Sequence, residues 1–273
     1  MTSKLRLGKT WLYIPLILMA VFYLLPMYVM LVTGFKSFAE IDLKTMWNLP
    51  KGIAFDNYVE AWKNLAPHLK NSFLMVIPAA LLSSALGSLN GFVLAKWKFK
   101  GADVIFPLIL FGMFIPYQSI MIPLVQFMNL AGISGLPGLA LAHIIYGIPI
   151  TTLTFRNYYA SLPQELLEAA KMDGASMLGI YRHILLPISL PSFVVVLIWQ
   201  FTSAWNDFLF AVILTGNEEW PITVALNNMA GSQIIAWNVQ MAGSLLAALP
   251  TLLVYIFLGR YFLRGLLAGS LKG

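Results

Sequence analysis

Six long apolar stretches separated by polar segments set the pattern of this chain: residues 11–33, 71–95, 103–127, 138–158, 188–214 and 240–262. Each reaches or exceeds the roughly 20 residues that an α-helix needs to cross a hydrocarbon core. The runs are continuous rather than alternating with a period of two, which excludes the roughly ten-residue strands of a membrane barrel. The pattern predicts an all-α, polytopic membrane protein with six transmembrane helices, forming a single transmembrane domain over residues 1–273. Pro78, Pro107, Pro116, Pro123 and Pro149 fall inside the spans. They predict kinks or hinges, since each removes a backbone donor.

Composition agrees, with 59% hydrophobic and only 10% charged residues, against about a quarter charged in a soluble domain. A net charge of +6 would suit nucleic acid if the cations clustered on one surface, but their placement follows the spans. With the N-terminus in the cytoplasm, inside segments hold Lys4, Arg6, Lys9, Lys96, Lys98, Lys100, Arg156, Lys171, Arg182, Arg260, Arg264 and Lys272. The remaining five (Lys36, Lys44, Lys51, Lys63 and Lys70) lie in or beside one long external segment, and the shorter external loops carry none. Positive charge therefore reports topology, with both termini cytoplasmic and no nucleic-acid partner. Cysteine is absent, so neither a disulfide framework nor a thiolate metal site is available. The "GKT" at Gly8 to Thr10 lacks the upstream glycine of a phosphate loop, where Ser3 stands. The apolar run from Trp11 is too long for a typical signal peptide and reads as an uncleaved first helix. Between the first two spans, residues 36–70 suit an interfacial segment with short helices.

Polar residues at membrane depth are expensive and usually face the interior of a bundle. Asp207, in "QFTSAWNDFLF", is either a hydrogen-bonded structural carboxylate or part of a pathway, and His143 reads more simply as a packed neutral imidazole. Gln118, Gln200, Asn206 and Asn90 add uncharged hydrogen-bonding capacity, which suits a hydroxyl-rich solute better than an ion needing a ring of carboxylates. The candidate pathway residues are therefore Gln118, Gln200, Asn206 and Asp207. Gly87 and Gly91, with Ser83, Ser84 and Ser88, form a narrow face that predicts close helix packing.

The polar run "LPQELLEAAKMDGASMLGIYRHILLP", Leu162 to Pro187, interrupts the bundle on the cytoplasmic side, within a loop of about residues 160–187. Ser161 is placed to cap a short helix, with Pro163, Glu165 and Glu168 early and Lys171 late. Leu162, Leu166, Leu167, Ala169 and Ala170 give it an apolar stripe, and Asp173 and Gly174 break it, Asp173 as a cap and Gly174 through a positive φ or close approach of another backbone. These residues alone allow either a helix lying on the membrane surface or one offered to a cytosolic partner.

The spacing Glu168, Ala169, Ala170, Gly174, Leu186, Pro187 and Pro191 resembles the EAA loop of ABC importer permeases. "WNDF" (Trp205 to Phe208), "NS" (Asn71 and Ser72), "KFKG" before the third span and the ending "RYFLRGLLAGSLKG" resemble the second permease subunit of maltose-type carbohydrate importers. The tail and "PITVALNNMAG" are most similar to glucose- or mannose-type permeases. The resemblance implies a binding-protein-dependent transport permease of the cytoplasmic (inner) membrane, not an enzyme. It implies that Glu165, Glu168, Ala169, Ala170, Asp173 and Gly174 couple to an ATPase, Gly174 making the turn. Expected partners are a second permease subunit, two cytosolic ATPase subunits, an extracytoplasmic sugar-binding protein and membrane lipid. No cofactor is bound directly, and ATP and Mg belong to the ATPase. The alternatives are a self-contained secondary transporter or channel, which predicts internal repeats and central ionisable groups, and an intramembrane enzyme, which predicts clustered catalytic side chains.

Overall fold

A computed structural model describes Trp11 and residues 13–97, 99–231 and 235–270, with side chains up to Tyr261. Lys4, Arg6, Lys9, Lys98, Lys272 and the side chain of Arg264 lie outside the described residues. The helices in chain order are α1 (Tyr13–Gly34), α2 (Asp56–Lys96), α3 (Ala102–Phe114), α4 (Tyr117–Leu130), α5 (Gly135–Ala160), α6 (Gln164–Met172), α7 (Met177–Ile188), α8 (Leu190–Trp205), α9 (Leu209–Leu214), α10 (Ile222–Ala230) and α11 (Trp237–Ser270). No strand occurs among the described residues.

α1, α2, α5 and α11 are each long and apolar enough to cross a membrane. Two further pairs pass the same test together, α3 with α4 bent by 100° and α7 with α8 bent by 75°. Counting each pair as one span gives the six expected. Residues 103–127 are thus not one continuous helix. Ile115 precedes Pro116, whose ring disfavours helical backbone in the preceding residue, and Ile115 is extended at φ −76°, ψ 114°. Nor is 188–214 continuous: α8 ends at Trp205 and α9 restarts at Leu209. The segment 36–70 holds the short helices expected, but only in its first part. Its short turns are confined to Phe38–Glu40 and Leu43–Thr45, and from Asp56 onward it is the front of the 41-residue α2.

The chain divides into two compact units. The first comprises residues 1–66 and 225–249. Here Asn57 Nδ2 donates to Gly34 O (2.9 Å) and Lys36 O (2.8 Å), and Asn238 Nδ2 donates to Asn57 Oδ1 (2.8 Å). Lys36 is buried, its ammonium donating to Thr45 O at 2.8 Å and Met46 O at 3.3 Å. That pairing with carbonyls offsets part of the cost of burying the charge. α1 buries only Val32, Thr33 and Gly34, leaving the rest of its apolar surface outward.

The second unit, residues 67–224 and 250–273, holds the α2–α5 seam. A Cβ on Gly87 would overlap Thr151, and one on Gly91 would lie 2.6 Å from Arg156 N and 2.8 Å from Phe155 Cβ. Thr151 Oγ1 donates to Ser83 O at 3.0 Å. Small residues on α2 therefore let α5 approach its backbone, as the glycine spacing predicted. Asn71 and Ser72 staple α2 to the segment before α10: Asn71 Nδ2 donates to Glu218 O (2.9 Å) and Trp220 O (3.3 Å), and Ile222 N donates to Ser72 Oγ (2.8 Å).

Candidate functional sites: an anchored loop helix and an aromatic pocket

The loop helix α6 buries one face and exposes the other. Leu167 and Ala170 are 1% and 6% exposed, joining Phe92, Phe155, Tyr159, Ile180, Tyr181, Leu185 and Val196 in one apolar cluster. Glu165, Leu166, Glu168, Ala169, Met172 and Asp173 lie on the open side. The stripe read from the sequence is thus divided, and Ala170 packs into the chain's own core. Lys96 Nζ donates to Leu162 O at 2.8 Å, tying the end of α2 to the start of the loop.

Two caps differ from expectation. Ser161 closes the preceding helix, its hydroxyl donating to Tyr158 O at 2.8 Å, and Pro163 takes the N-cap position of α6. Downstream, Ser176 rather than Asp173 caps the next helix, accepting from Gly179 N at 3.1 Å. Asp173 instead occupies the C-terminal cap position of α6. Gly174 follows with φ +79°, its N–H reaching Lys171 O while Ala175 N reaches Ala170 O, both at 3.0 Å. This left-handed helix ending favours glycine.

Beneath α6 lies a buried polar cluster. Ser88 Oγ is 2.7 Å from Tyr159 OH and 3.0 Å from Tyr181 OH, and Tyr159 OH donates to Ser189 Oγ at 3.1 Å. Phe92 stacks on Tyr181 with centroids 5.3 Å apart. Apolar packing and hydrogen bonds thus join α6 to α2, α5 and the α7–α8 bend, so these elements resist separate displacement.

The second site is a cavity of about 290 Å³ lined by Tyr117, His143, Tyr146, Gly147, Ile150, Trp199, Gln200, Ser203, Asn206, Asp207 and Phe210. Both helix breaks deliver residues to it: Tyr117 opens α4 directly after Pro116, and Asn206 and Asp207 lie between α8 and α9. Tyr117, Tyr146 and His143 surround Phe210 with ring centroids 5.2, 5.3 and 5.9 Å away. Asp207 accepts from Ala211 N at 3.0 Å and Phe210 N at 3.5 Å, capping α9. His143 Nε2 approaches Asp207 Oδ2 to 3.4 Å without hydrogen-bond geometry. Gln200, 6% exposed, donates to Gly147 O at 3.0 Å and bridges α8 to α5. Asn206 Nδ2 donates to Thr202 O at 2.9 Å.

The structure therefore gathers Gln200, Asn206 and Asp207 in one cavity, while Gln118 is exposed and not among its lining residues. Asn90 lies on α2, within 3.4 Å of Thr152 Oγ1. Sequence reasoning missed Tyr117, Tyr146, Trp199, Ser203 and Phe210 and treated His143 as packing. The available signal was Pro116 immediately before Tyr117, a helix stop that exposes the next residue. His143 and Asp207 supply two donors, and no group of three His, Cys, Asp or Glu side chains suited to a metal occurs among the described residues.

Residues 87–267 match the family described as binding-protein-dependent transport system inner membrane component. The chain belongs to that family. A probable ABC transporter permease of Pyrococcus horikoshii is 47% identical over 96% of each chain. The xylose/arabinose import permease of Haloferax volcanii is 36% identical over 90% of this chain and 87% of the relative. The glucose import system permease of Saccharolobus solfataricus is 34% identical over 96% and 95%, respectively. The fold matches a chain from the crystal structure of a bacterial ABC transporter that imports the acidic polysaccharide alginate, with a TM-score of 0.81 at 22% identity, covering 96% of this chain and 99% of the other. As an inner membrane component of this family, the chain has a transport role, and both sites described above lie wholly or largely within the matched residues.

Proposed function

We propose that the chain is a permease subunit of an ATP-driven sugar importer, pairing with a second permease subunit to enclose the pathway. The observation that carries this reading is α6: anchored on one face through Leu167 and Ala170, it leaves Glu165, Glu168, Ala169 and Asp173 open to a partner, in a family of transport components. That partner is a cytosolic ATPase, two copies of which bind ATP and Mg and hydrolyse the nucleotide. Glu165 and Glu168 pair with basic groups there, Ala169 permits close approach and Gly174 makes the turn. An inward push on α6 reaches α2, α5 and the α7–α8 bend through the buried cluster, rearranging the helices around the cavity.

Both termini face the cytoplasm, as the distribution of Lys and Arg favours. An extracytoplasmic sugar-binding protein delivers solute to the opposite side. The named relatives that import glucose and xylose or arabinose favour a small neutral sugar. Co-purification tests the coupling reading. The chain expressed with its companion permease should retain the ATPase, whereas Gly174→Asp should insert normally yet lose ATPase retention and uptake. Normal retention and uptake in that variant would remove the coupling assignment, and saturable ATP binding by the isolated chain would remove the division of labour.

A further inference from the structure

We propose that the α4–α5–α8–α9 cavity is a subsite of this subunit for a single neutral sugar ring, and that its lining rejects anionic sugars. The proposal rests on the importer reading above and adds to it a place and a selectivity. At about 290 Å³, the cavity sits at the small end of ligand pockets, which run about 300–1,000 Å³. That suits one ring better than an oligosaccharide.

The lining combines aromatic and hydrogen-bonding groups. Tyr117, Tyr146 and Trp199 offer ring surface for the C–H face of a pyranose, and the phenol hydroxyls, Gln200, Ser203 and Asn206 can serve sugar hydroxyls. The amide donors of Gln200 and Asn206 already bind backbone carbonyls, which fixes both amides and leaves their oxygens as acceptors. Such fixed polar groups in an aromatic cavity orient a neutral polyol at little reorganisation cost.

Charge sets the selectivity. The lining holds one carboxylate, one imidazole and no Lys or Arg. Its single imidazole stands 3.4 Å from the Asp207 carboxylate, so the cavity offers an anion no cationic side chain of its own. A uronate entering would lose water from its carboxylate with no cation to replace it. A small cation is also poorly served, because Asp207 already accepts from Phe210 N and Ala211 N, and His143 stands at 3.4 Å.

The native chain has no cysteine, so Ser203→Cys places one thiol of this subunit in the cavity. Ile150→Cys supplies a second position on α5, and Asn217→Cys is an exposed control outside it. In the assembled importer, the rate of modification by a small neutral thiol reagent is followed on this subunit with glucose, glucuronate or choline present. At about ten times the half-saturating concentration roughly a tenth of sites stay free, so glucose should slow cavity labelling about tenfold. Glucuronate and choline should leave it unchanged, and Asn217→Cys should respond to none of them. Equal protection by glucose and glucuronate, stronger protection by choline, or no protection at both cavity positions overturns the subsite while a glucose-importing complex still supports the family reading. Failure of the wild-type chain to assemble with an ATPase overturns that reading and the subsite together.

Discussion

The α2–α5 seam and the cavity beside α4 and α9 use opposite solutions for placing helices in a membrane. At the seam, two unbroken helices touch through Gly87 and Gly91, and the contact is backbone against Thr151, Phe155 and Arg156. Around the cavity, helices stop and restart, freeing main-chain groups that Asp207 and Tyr146 partly satisfy: Asp207 caps α9, and Tyr146 OH donates to Ile115 O at 3.4 Å. The seam has no room for a solute, and the breaks make some. Irregular backbone at membrane depth is tolerated where it is buried or lines a cavity, so the interruptions mark where polar chemistry was worth its cost.

The largest expected effect breaks the seam. Gly87→Val should overpack Thr151 and destabilise the fold by about 3 kcal/mol, read as a lower Tm and reduced monodisperse yield in detergent. A wild-type Tm would show that α2 and α5 do not approach closely. The next effect concerns the buried hydroxyls: Ser88→Ala leaves Tyr159 and Tyr181 each without one partner, costing about 1–3 kcal/mol. Tyr181→Phe should cost less, because Ser88 keeps Tyr159; a larger loss for Tyr181→Phe would contradict the shared role of Ser88.

Gly174 sharpens the comparison with the glycines of the seam, since a Cβ there meets nothing within 4 Å and only its φ of +79° is demanding. Asn tolerates that conformation better than β-branched residues. Gly174→Val should therefore destabilise the loop by about 1–2 kcal/mol, with Gly174→Asn milder in protease-resistance assays of the isolated chain. If Gly174→Asn nevertheless abolishes ATPase retention, the glycine also serves close approach by the partner. At the cavity, Asp207→Ala should lose the α9 cap, worth about 1 kcal/mol, whereas Asp207→Asn keeps an accepting oxygen. Equal Tm values for the two variants would deny the cap.

The smallest effect lies in the loop between α1 and α2. Lys51 N and Ser37 Oγ donate to Glu40 at 2.9 and 2.8 Å, holding its carboxyl below the ordinary 4.5, with the Lys51 backbone bond the largest cause. A depressed acid contributes stability above its unfolded pKa and loses it as pH falls through the lower folded value. Protease protection of this loop should thus weaken below pH 4.5, and Glu40→Gln should flatten that dependence.

Much of the architecture was legible because its causes are local in sequence. Hydropathy exposes long spans, the Gly87 and Gly91 spacing exposes a packing face, and Asp173–Gly174 exposes a helix ending. Cap assignments were less legible: Ser161, Asp173 and Ser176 all carry capping oxygens, and only backbone geometry distributes their roles. Hydropathy could not show that 103–127 and 188–214 are broken, since Ile115 and Pro116 are a brief interruption and the two polar residues Asn206 and Asp207 are averaged away by apolar neighbours on either side.

The sequence by itself determined that this is an all-helical membrane chain with one exposed amphipathic loop helix, because burial in lipid and helix periodicity act on neighbouring residues. Tertiary structure alone decided that Leu167 and Ala170 face inward while Glu168 and Ala169 face out, and that Tyr117, His143, Gln200 and Asp207 share one cavity. Those groups come from three helices and the break between α8 and α9, and the 100° bend after α3 helps set their meeting point. Such a meeting depends on the paths of distant segments, which no local pattern of residues specifies.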